Sequence, residues 1–346
     1  MPIKVLIVDD SLLIRQMFSK ILSSDTEIEV VATAHDVVDA REKIKKYEPD
    51  VITLDIEMPG MDGITFLKKI MALRPTPVVM VSSLTQRGAD ITIAALEAGA
   101  VDYVPKTTSS EFDYNNLSLE LIEKVKAASR VKIIRPKQDG EVAEKKKADK
   151  KNQYQFKNNI LFAVGSSTGG VESLREVVTR LPSDFPPVLI TQHMPPKFTK
   201  SFAERLDTIC NMRVKEAENG DVIEVGNIYI APGGFHMEVI KRGIQMACIV
   251  RDGEKVSGHI PSVDVLFESV AKNIGKNSYG VILTGMGKDG AKGLLQMKNA
   301  GSYNIGQDEA SSIVYGMPKA AYLAGAVDVQ VSLSDIADKM IEIAKQ

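Results

Sequence analysis

The chain has 346 residues, enough for two domains with a sizeable core; 44% are apolar and 25% charged, as in an ordinary globular protein. The net charge of −2 at pH 7 excludes a strongly basic nucleic-acid or anionic-membrane binder, and no apolar run approaches the ~18 residues of a membrane span. Cys210 and Cys248 lack CxxC partners, so no disulfide framework is expected and a cytoplasmic address fits.

In the first third, short apolar runs alternate with helical periods. "IKVLIVDD", "IEVVATA", "DVITLDI", "TPVVMVSS" and "AVDYVPK" predict strands buried on both faces, hence a parallel sheet with crossover helices. "SLLIRQMFSKILSS" and "SLELIEKVKAAS" carry helical periodicity. Residues 135–151 hold almost no large apolar side chains, and five of the eight residues from Glu144 to Lys151 are lysine. This stretch reads as a charged, flexible linker.

Beyond it the alternation resumes. "NILFAVGSS", "PPVLITQHMPP", "NIYIAPGG", "HMEVI", "QMACIV" and the start of "YGVILTGMGKDG" predict strands. "VESLREVVTRL", "SFAERLDTIC", "PSVDVLFESVAKNI", "AKGLLQMKNAG" and "SDIADKMIEIAKQ" predict helices. Two α/β domains follow, with a largely parallel sheet in the second.

In such sheets ligands collect beyond the carboxyl ends of the strands. In the first domain those ends bring Asp9, Asp10, Asp55, Ser82, Ser83 and Lys106 towards one crevice. Three carboxylates so placed need a cation, and a hard oxygen-loving ion such as Mg²⁺ suits them. Lys106 suits an anion beside the metal, and a carboxylate phosphorylated as a covalent intermediate supplies one. The rival role for Asp9 and Asp10 is capping of the helix that follows.

"VLIVDDSLLIR", "DVITLDIEMPGMDG", "VVMVSS" and "AGAVDYVPK" resemble the receiver domain of two-component response regulators, over about residues 3 to 125. The resemblance implies a flavodoxin-like doubly wound fold with five parallel strands. It implies Asp55 as phosphoacceptor, Asp9 and Asp10 with Asp55 as Mg²⁺ ligands, and the Glu57 backbone carbonyl as a further ligand. Ser82 matches the switch hydroxyl, Tyr103 the switch aromatic and Lys106 the phosphate-pairing lysine. One departure is Thr107 after that lysine, with Pro105 before it, where many receivers have proline directly after. His35 has no partner in the pattern.

In the second domain "AVGSSTGG" ends an apolar run at a Gly-rich cluster. A P-loop would need lysine where Val171 stands, and a dinucleotide fingerprint would need glycine at Ser167. Gly165-Ser166-Ser167-Thr168-Gly169 fits G-x-S-x-G, a strand-to-helix turn that presents its central serine. Ser167 is therefore the candidate nucleophile, and the helix N-terminus beyond it suits an oxyanion. A serine nucleophile needs a base and the base an orienting acid. Among His193, His236 and His259, His193 ranks first because it directly follows a buried strand. Asp289 leads Asp264 and Asp252 on the same placement. The order Ser, His, Asp is not that of the α/β-hydrolases.

"ITQHMPPKFTKSFAERL", "IYIAPGGFHMEV", "PSVDVLFESVA", "GVILTGMGKDGAKGL" and "QDEASSIVYGMP", with "AVGSSTGG", resemble the catalytic domain of the chemotaxis-specific protein-glutamate methylesterases, from about residue 158 onward. The expected domains are therefore 1–125 receiver, 126–157 linker and 158–346 catalytic. The resemblance implies the triad Ser167, His193 and Asp289, an oxyanion site near Thr168 and Met286, and no cofactor for the ester reaction. It implies hydrolysis of glutamate methyl esters on methyl-accepting chemotaxis receptors, releasing methanol, and deamidation of receptor glutamines. A chemotaxis histidine kinase is the implied phosphodonor, and phosphorylation the activating signal in sensory adaptation. No nucleic-acid partner or membrane insertion is expected: residues after 151 hold 20 Lys and Arg against 21 Asp and Glu, which disfavours a DNA-binding output.

Overall fold

The structure is a computed structural model that describes residues 1–58, 60–106, 114–131, 154–243 and 245–345. The expected linker core at 135–151 lies outside the described residues, as does Thr107. The chain divides into two compact units, Met1–Asp139 and Gly140–Gln346.

In the first unit β1 (Ile3–Val8), β2 (Ile28–Ala34), β3 (Val51–Asp55), β4 (Val78–Ser83) and β5 (Asp102–Lys106) pair in the order β2-β1-β3-β4-β5, all parallel. The central strands are Val/Ile/Leu-rich and closed to solvent on both faces, as a doubly wound sheet demands. The connections are α1 (Leu12–Leu22), α2 (Val37–Tyr47), α3 (Gly63–Leu73) and α4 (Gln86–Glu97), and α5 (Tyr114–Ser129) closes the unit. Ser11, Asp36, Asp62 and Thr85 start the first four helices, each side chain accepting from a backbone N–H in the first turn. Ser11, not Asp9 or Asp10, is thus the residue that caps α1.

In the second unit β6 (Leu161–Ser166), β7 (Val188–Gln192), β8 (Arg213–Glu216), β9 (Asn227–Ile230), β12 (Ser278–Ile282), β13 (Tyr303–Gln307) and β14 (Val329–Val331) form one sheet. Its order is β14-β13-β12-β6-β7-β9-β8, with every pairing parallel. β10 (His236–Arg242) and β11 (Gln245–Arg251) stand apart as an antiparallel hairpin. The helices are α6 (Gly170–Val178), α7 (Phe198–Ile209), α8 (Val263–Asn273), α9 (Ala291–Asn299), α10 (Met317–Leu323) and α11 (Leu333–Ala344). Leu266, Phe267 and Val270 of α8 pack with Leu294 and Met297 of α9 in the core. A Cβ on Gly165 would lie 2.2 Å from Val263 Cγ1, so this glycine lets the start of α8 approach β6. Among the described residues no helix is long and apolar enough to cross a membrane.

Candidate functional site

In the first unit the carboxyl ends of β1, β3 and β5 converge. Asp9 and Asp55 are buried, Asp10 is exposed, and one oxygen from each of the three lies within 4.8 Å of the others. Lys106 Nζ stands 3.0 Å from Asp9 Oδ2 and 2.7 Å from Asp55 Oδ2. Neither oxygen accepts a hydrogen bond of good geometry. Lys106 thus pairs with two of the three clustered carboxylates, and two buried oxygens are left short of donors. That is the donor set of a hard divalent cation, so the residues present fit Mg²⁺. Burial pushes the Asp55 carboxyl up to about 6; Lys106 and the Glu57 N–H pull it down, and Asp9 adds to the rise. Burial would lower Lys106, but Asp55 and Asp9 outweigh it and raise this ammonium.

The backbone around the crevice is tied. Glu57 N–H donates to Asp55 Oδ1 at 3.1 Å, Ser11 N–H to Asp9 Oδ1 at 2.9 Å, and Arg15 Nη1 to the Asp9 and Asp10 carbonyls at 2.7 and 2.9 Å. Ser82 is at the end of β4, but its hydroxyl is turned to α4: it donates to the Gly88 carbonyl at 3.3 Å and accepts from Thr92 Oγ1 at 2.7 Å. Tyr103 is buried, with Lys124 Nζ 4.9 Å from its ring centroid and 2.6 Å from its carbonyl oxygen. His35 is at the surface, with Nδ1 3.1 Å from Asp39 Oδ2.

In the second unit Ser167 directly follows β6, His193 follows β7, and Asp289 lies in the loop between β12 and α9. His193 Nδ1 stands 3.1 Å from Ser167 Oγ, and His193 Nε2 2.8 Å from Asp289 Oδ2. Asp289 Oδ2 also accepts from Val263 N–H at 2.7 Å, and Oδ1 from Ser262 Oγ at 2.8 Å and Asp264 N–H at 3.0 Å. The carboxylate thus sits on the N-terminal amides of α8, where the helix dipole favours negative charge. Burial would raise Asp289, but His193 and these amides hold it below the usual carboxylate range. An ionised Asp289 accepts the Nε2–H, which leaves the Nδ1 lone pair facing the serine hydroxyl.

The neighbouring serine is arranged differently. Ser166 is fully buried and donates to Gln192 Oε1 at 2.6 Å, and Gln192 Nε2 donates to the Ser167 carbonyl at 2.9 Å. Gly285 lies against the serine: a Cβ there would come within 2.8 Å of Ser167 Cβ. Ser167 N–H donates to the Thr284 carbonyl at 3.0 Å and is not available to an oxyanion. The Met286 N–H, in the loop after β12, meets no acceptor among the described residues. The Thr168 carbonyl accepts from Thr284 Oγ1 at 3.0 Å.

The remaining candidates have other partners. Asp264 is buried, accepts from Gly293 N–H at 2.8 Å and Ser257 Oγ at 2.9 Å, and is raised by its burial. Asp252 is exposed and accepts from Gly253 N–H. His236 is buried, with Nε2 2.9 Å from the Glu254 carbonyl and Nδ1 accepting from Ser262 N–H at 3.3 Å. His259, not singled out by its position in the sequence, stacks on His193 with ring centroids 3.7 Å apart and planes 11° from parallel.

Comparison with known proteins agrees with this division. Residues 5–112 match the response regulator receiver domain model, and 162–340 the CheB methylesterase model. A Sulfurimonas denitrificans protein named protein-glutamate methylesterase/protein-glutamine glutaminase is 51% identical, covering 100% of this chain and 99% of its own. One of the same name from Methylobacillus flagellatus is 49% identical over 99% of this chain and 97% of its own. The crystal structure of the Thermotoga maritima CheB methylesterase catalytic domain is 39% identical with a TM-score of 0.52, covering 53% of this chain and 98% of that one. A receiver-type crevice of converging carboxylates, a Ser–His–Asp array at two strand ends and the loop after a third strand, and full-length similarity lead to one conclusion: the chain belongs to the CheB methylesterase family, with a response regulator receiver domain ahead of its methylesterase domain.

Proposed function

We propose that this chain is a phosphorylation-activated protein-glutamate methylesterase that also deamidates glutamine, acting on methyl-accepting chemotaxis receptors. The observation that carries the reading is the continuous array from Ser167 Oγ through His193 to Asp289. His193 Nδ1 takes the proton of Ser167 as Oγ bonds to the ester carbonyl carbon. The tetrahedral oxyanion is met by the Met286 N–H and the positive end of α6, beside Thr168. The carbonyl re-forms, the C–O bond to the methoxy group breaks, and His193 returns the proton so that methanol leaves. Water then attacks the acyl-serine, giving one proton to His193 and releasing the glutamate carboxylate as Ser167 is reprotonated. On a glutamine the same steps release ammonia. Asp289 keeps the His193 proton on Nε2 and stabilises the imidazolium. No step needs a cofactor.

The control element is the receiver. Asp55 accepts the phosphoryl group from a chemotaxis histidine kinase, and Lys106 pairs with the phosphoryl oxygens. Asp9, Asp10, Asp55 and the Glu57 carbonyl would hold Mg²⁺, which would neutralise charge on the phosphoryl oxygens. Ser82 and Tyr103 are the groups that respond, Ser82 by leaving its α4 partners for the phosphate. The role assigned is cytoplasmic and receptor-directed, and the names of the full-length relatives support action on protein glutamate esters and glutamines. The test is methanol release from methylated receptor membranes by wild type and Ser167→Ala. The proposal expects release by wild type and a loss of roughly 10⁶-fold in the variant; equal release by both overturns it.

A further inference from the structure

His259 belongs to none of the steps above, yet its ring lies flat on the general base, with centroids 3.7 Å apart and planes at 11°. His193 is held at both nitrogens, and the N–H and lone pair of an imidazole are directed in the ring plane. In-plane bonds resist rotation within the plane. They resist less well a tipping of the ring that lifts its nitrogens out of that plane in opposite directions, which swings the Nδ1 lone pair off the serine. Only atoms packed on a face oppose that motion, and His259 covers one face at van der Waals distance.

The segment that delivers His259 is built for rigidity. Val256 and His259 exchange backbone hydrogen bonds of 3.0 Å in both directions, closing a two-residue turn. Its central residues Ser257 and Gly258 have φ of 53° and 86°, the left-handed pair of a type I′ turn. Ser257 Oγ donates to Asp264 Oδ2, and Asp264 N–H donates to Asp289 Oδ1. His236 ties the segment at both sides: Nδ1 accepts from Ser262 N–H, so the proton is on Nε2 and is donated to the Glu254 carbonyl. The α8 N-terminus therefore fixes both the acid that orients His193 and the turn that carries its cover.

We infer that His259 is a positioning residue for the reaction, a planar cover that holds the His193 imidazole in the plane required by Ser167 and Asp289. This rests on the Ser167–His193–Asp289 reading above. The aromatic face performs the role, not the nitrogen atoms. The experiment compares kcat and KM for methanol release from methylated receptor membranes by wild type, Ser167→Ala and His259→Ala, His259→Gln and His259→Phe. His259→Ala and His259→Gln are expected to lose on the order of tenfold to a hundredfold in kcat with KM within about twofold of wild type. His259→Phe, which restores a flat face without nitrogen, is expected to stay within about threefold of wild-type kcat. Glutamine retains polarity without a ring, so His259→Gln tests the claim even if His259→Ala fails to fold. Wild-type kcat in His259→Gln, equal loss in His259→Phe and His259→Gln, or a change confined to KM overturns the inference alone. A Ser167→Ala variant as active as wild type overturns the nucleophile reading and this inference with it.

Discussion

The two crevices of this chain occupy the same place in two parallel sheets and are opposite in electrostatic design. At the receiver crevice Asp9, Asp10 and Asp55 converge, Lys106 pairs with Asp9 and Asp55, and buried oxygens of Asp9 and Asp55 are left short of donors. At the serine crevice the carboxylate that meets the base, Asp289, accepts from His193, Ser262 Oγ and two α8 amides. The first arrangement holds unbalanced charge, which suits a site that must take up a cation and a phosphoryl group. The second is balanced in advance, which suits a site that must hold one geometry through a reaction. A shared strand-end position thus gives a switch where charge is left over and a catalyst where it is satisfied.

The contrast can be broken most strongly at Asp289. Asp289→Asn offers an amide to His193 Nε2 and favours the wrong tautomer, so kcat is expected to fall by roughly 10⁴-fold. Methanol release measures it, with circular dichroism checking that α8 remains folded. At the other crevice Asp55→Asn is expected to abolish activation by a small-molecule phosphodonor, a loss of about 5- to 150-fold relative to activated wild type. Undiminished activation of that variant would remove Asp55 from the regulatory role. The basal rate of Asp55→Asn should match unactivated wild type.

The unbalanced charge also has a stability signature. The folded Asp55 carboxyl, at about 6, binds its proton more tightly than in the unfolded chain. Unfolding therefore releases a proton between about pH 4 and 6, and stability falls as pH rises through that window. Above it Asp55→Asn is expected to stabilise the magnesium-free receiver by about 1–3 kcal/mol, with little gain near pH 4. Urea unfolding in EDTA at pH 4 and pH 8 reads both; equal gains at the two pH values would contradict the assignment.

Most strand ends could be read in the sequence because they follow continuous apolar runs: β1, β3, β6 and β7 each deliver their residue where the runs stop. β13, "YNIGQ", has no such run, since Asn304 and Gln307 are polar. In the structure both are buried, with the Asn304 amide donating to Leu294 and Ala326 carbonyls and Gln307 Oε1 accepting from Thr284 N–H. Polar strand residues that satisfy loop backbone carry no apolar signature. The same holds for Asp264 and His259, whose roles come from a turn folding back on α8, a contact that local periodicity does not encode. The sequence pattern also placed "HMEVI" and "QMACIV" as strands without distinguishing a separate hairpin from the main sheet.

The choice between adjacent serines tests the central claim most directly. Ser166 donates to Gln192 inside the fold, whereas Ser167 faces His193. Methanol release should be measured for Ser166→Ala and Ser167→Ala side by side with wild type. The account expects Ser166→Ala to lose about 1 kcal/mol of stability and to retain activity within about tenfold. It expects Ser167→Ala to remain folded and fall to background. Activity surviving in Ser167→Ala, or vanishing from a folded Ser166→Ala while Ser167→Ala retains it, would contradict the account.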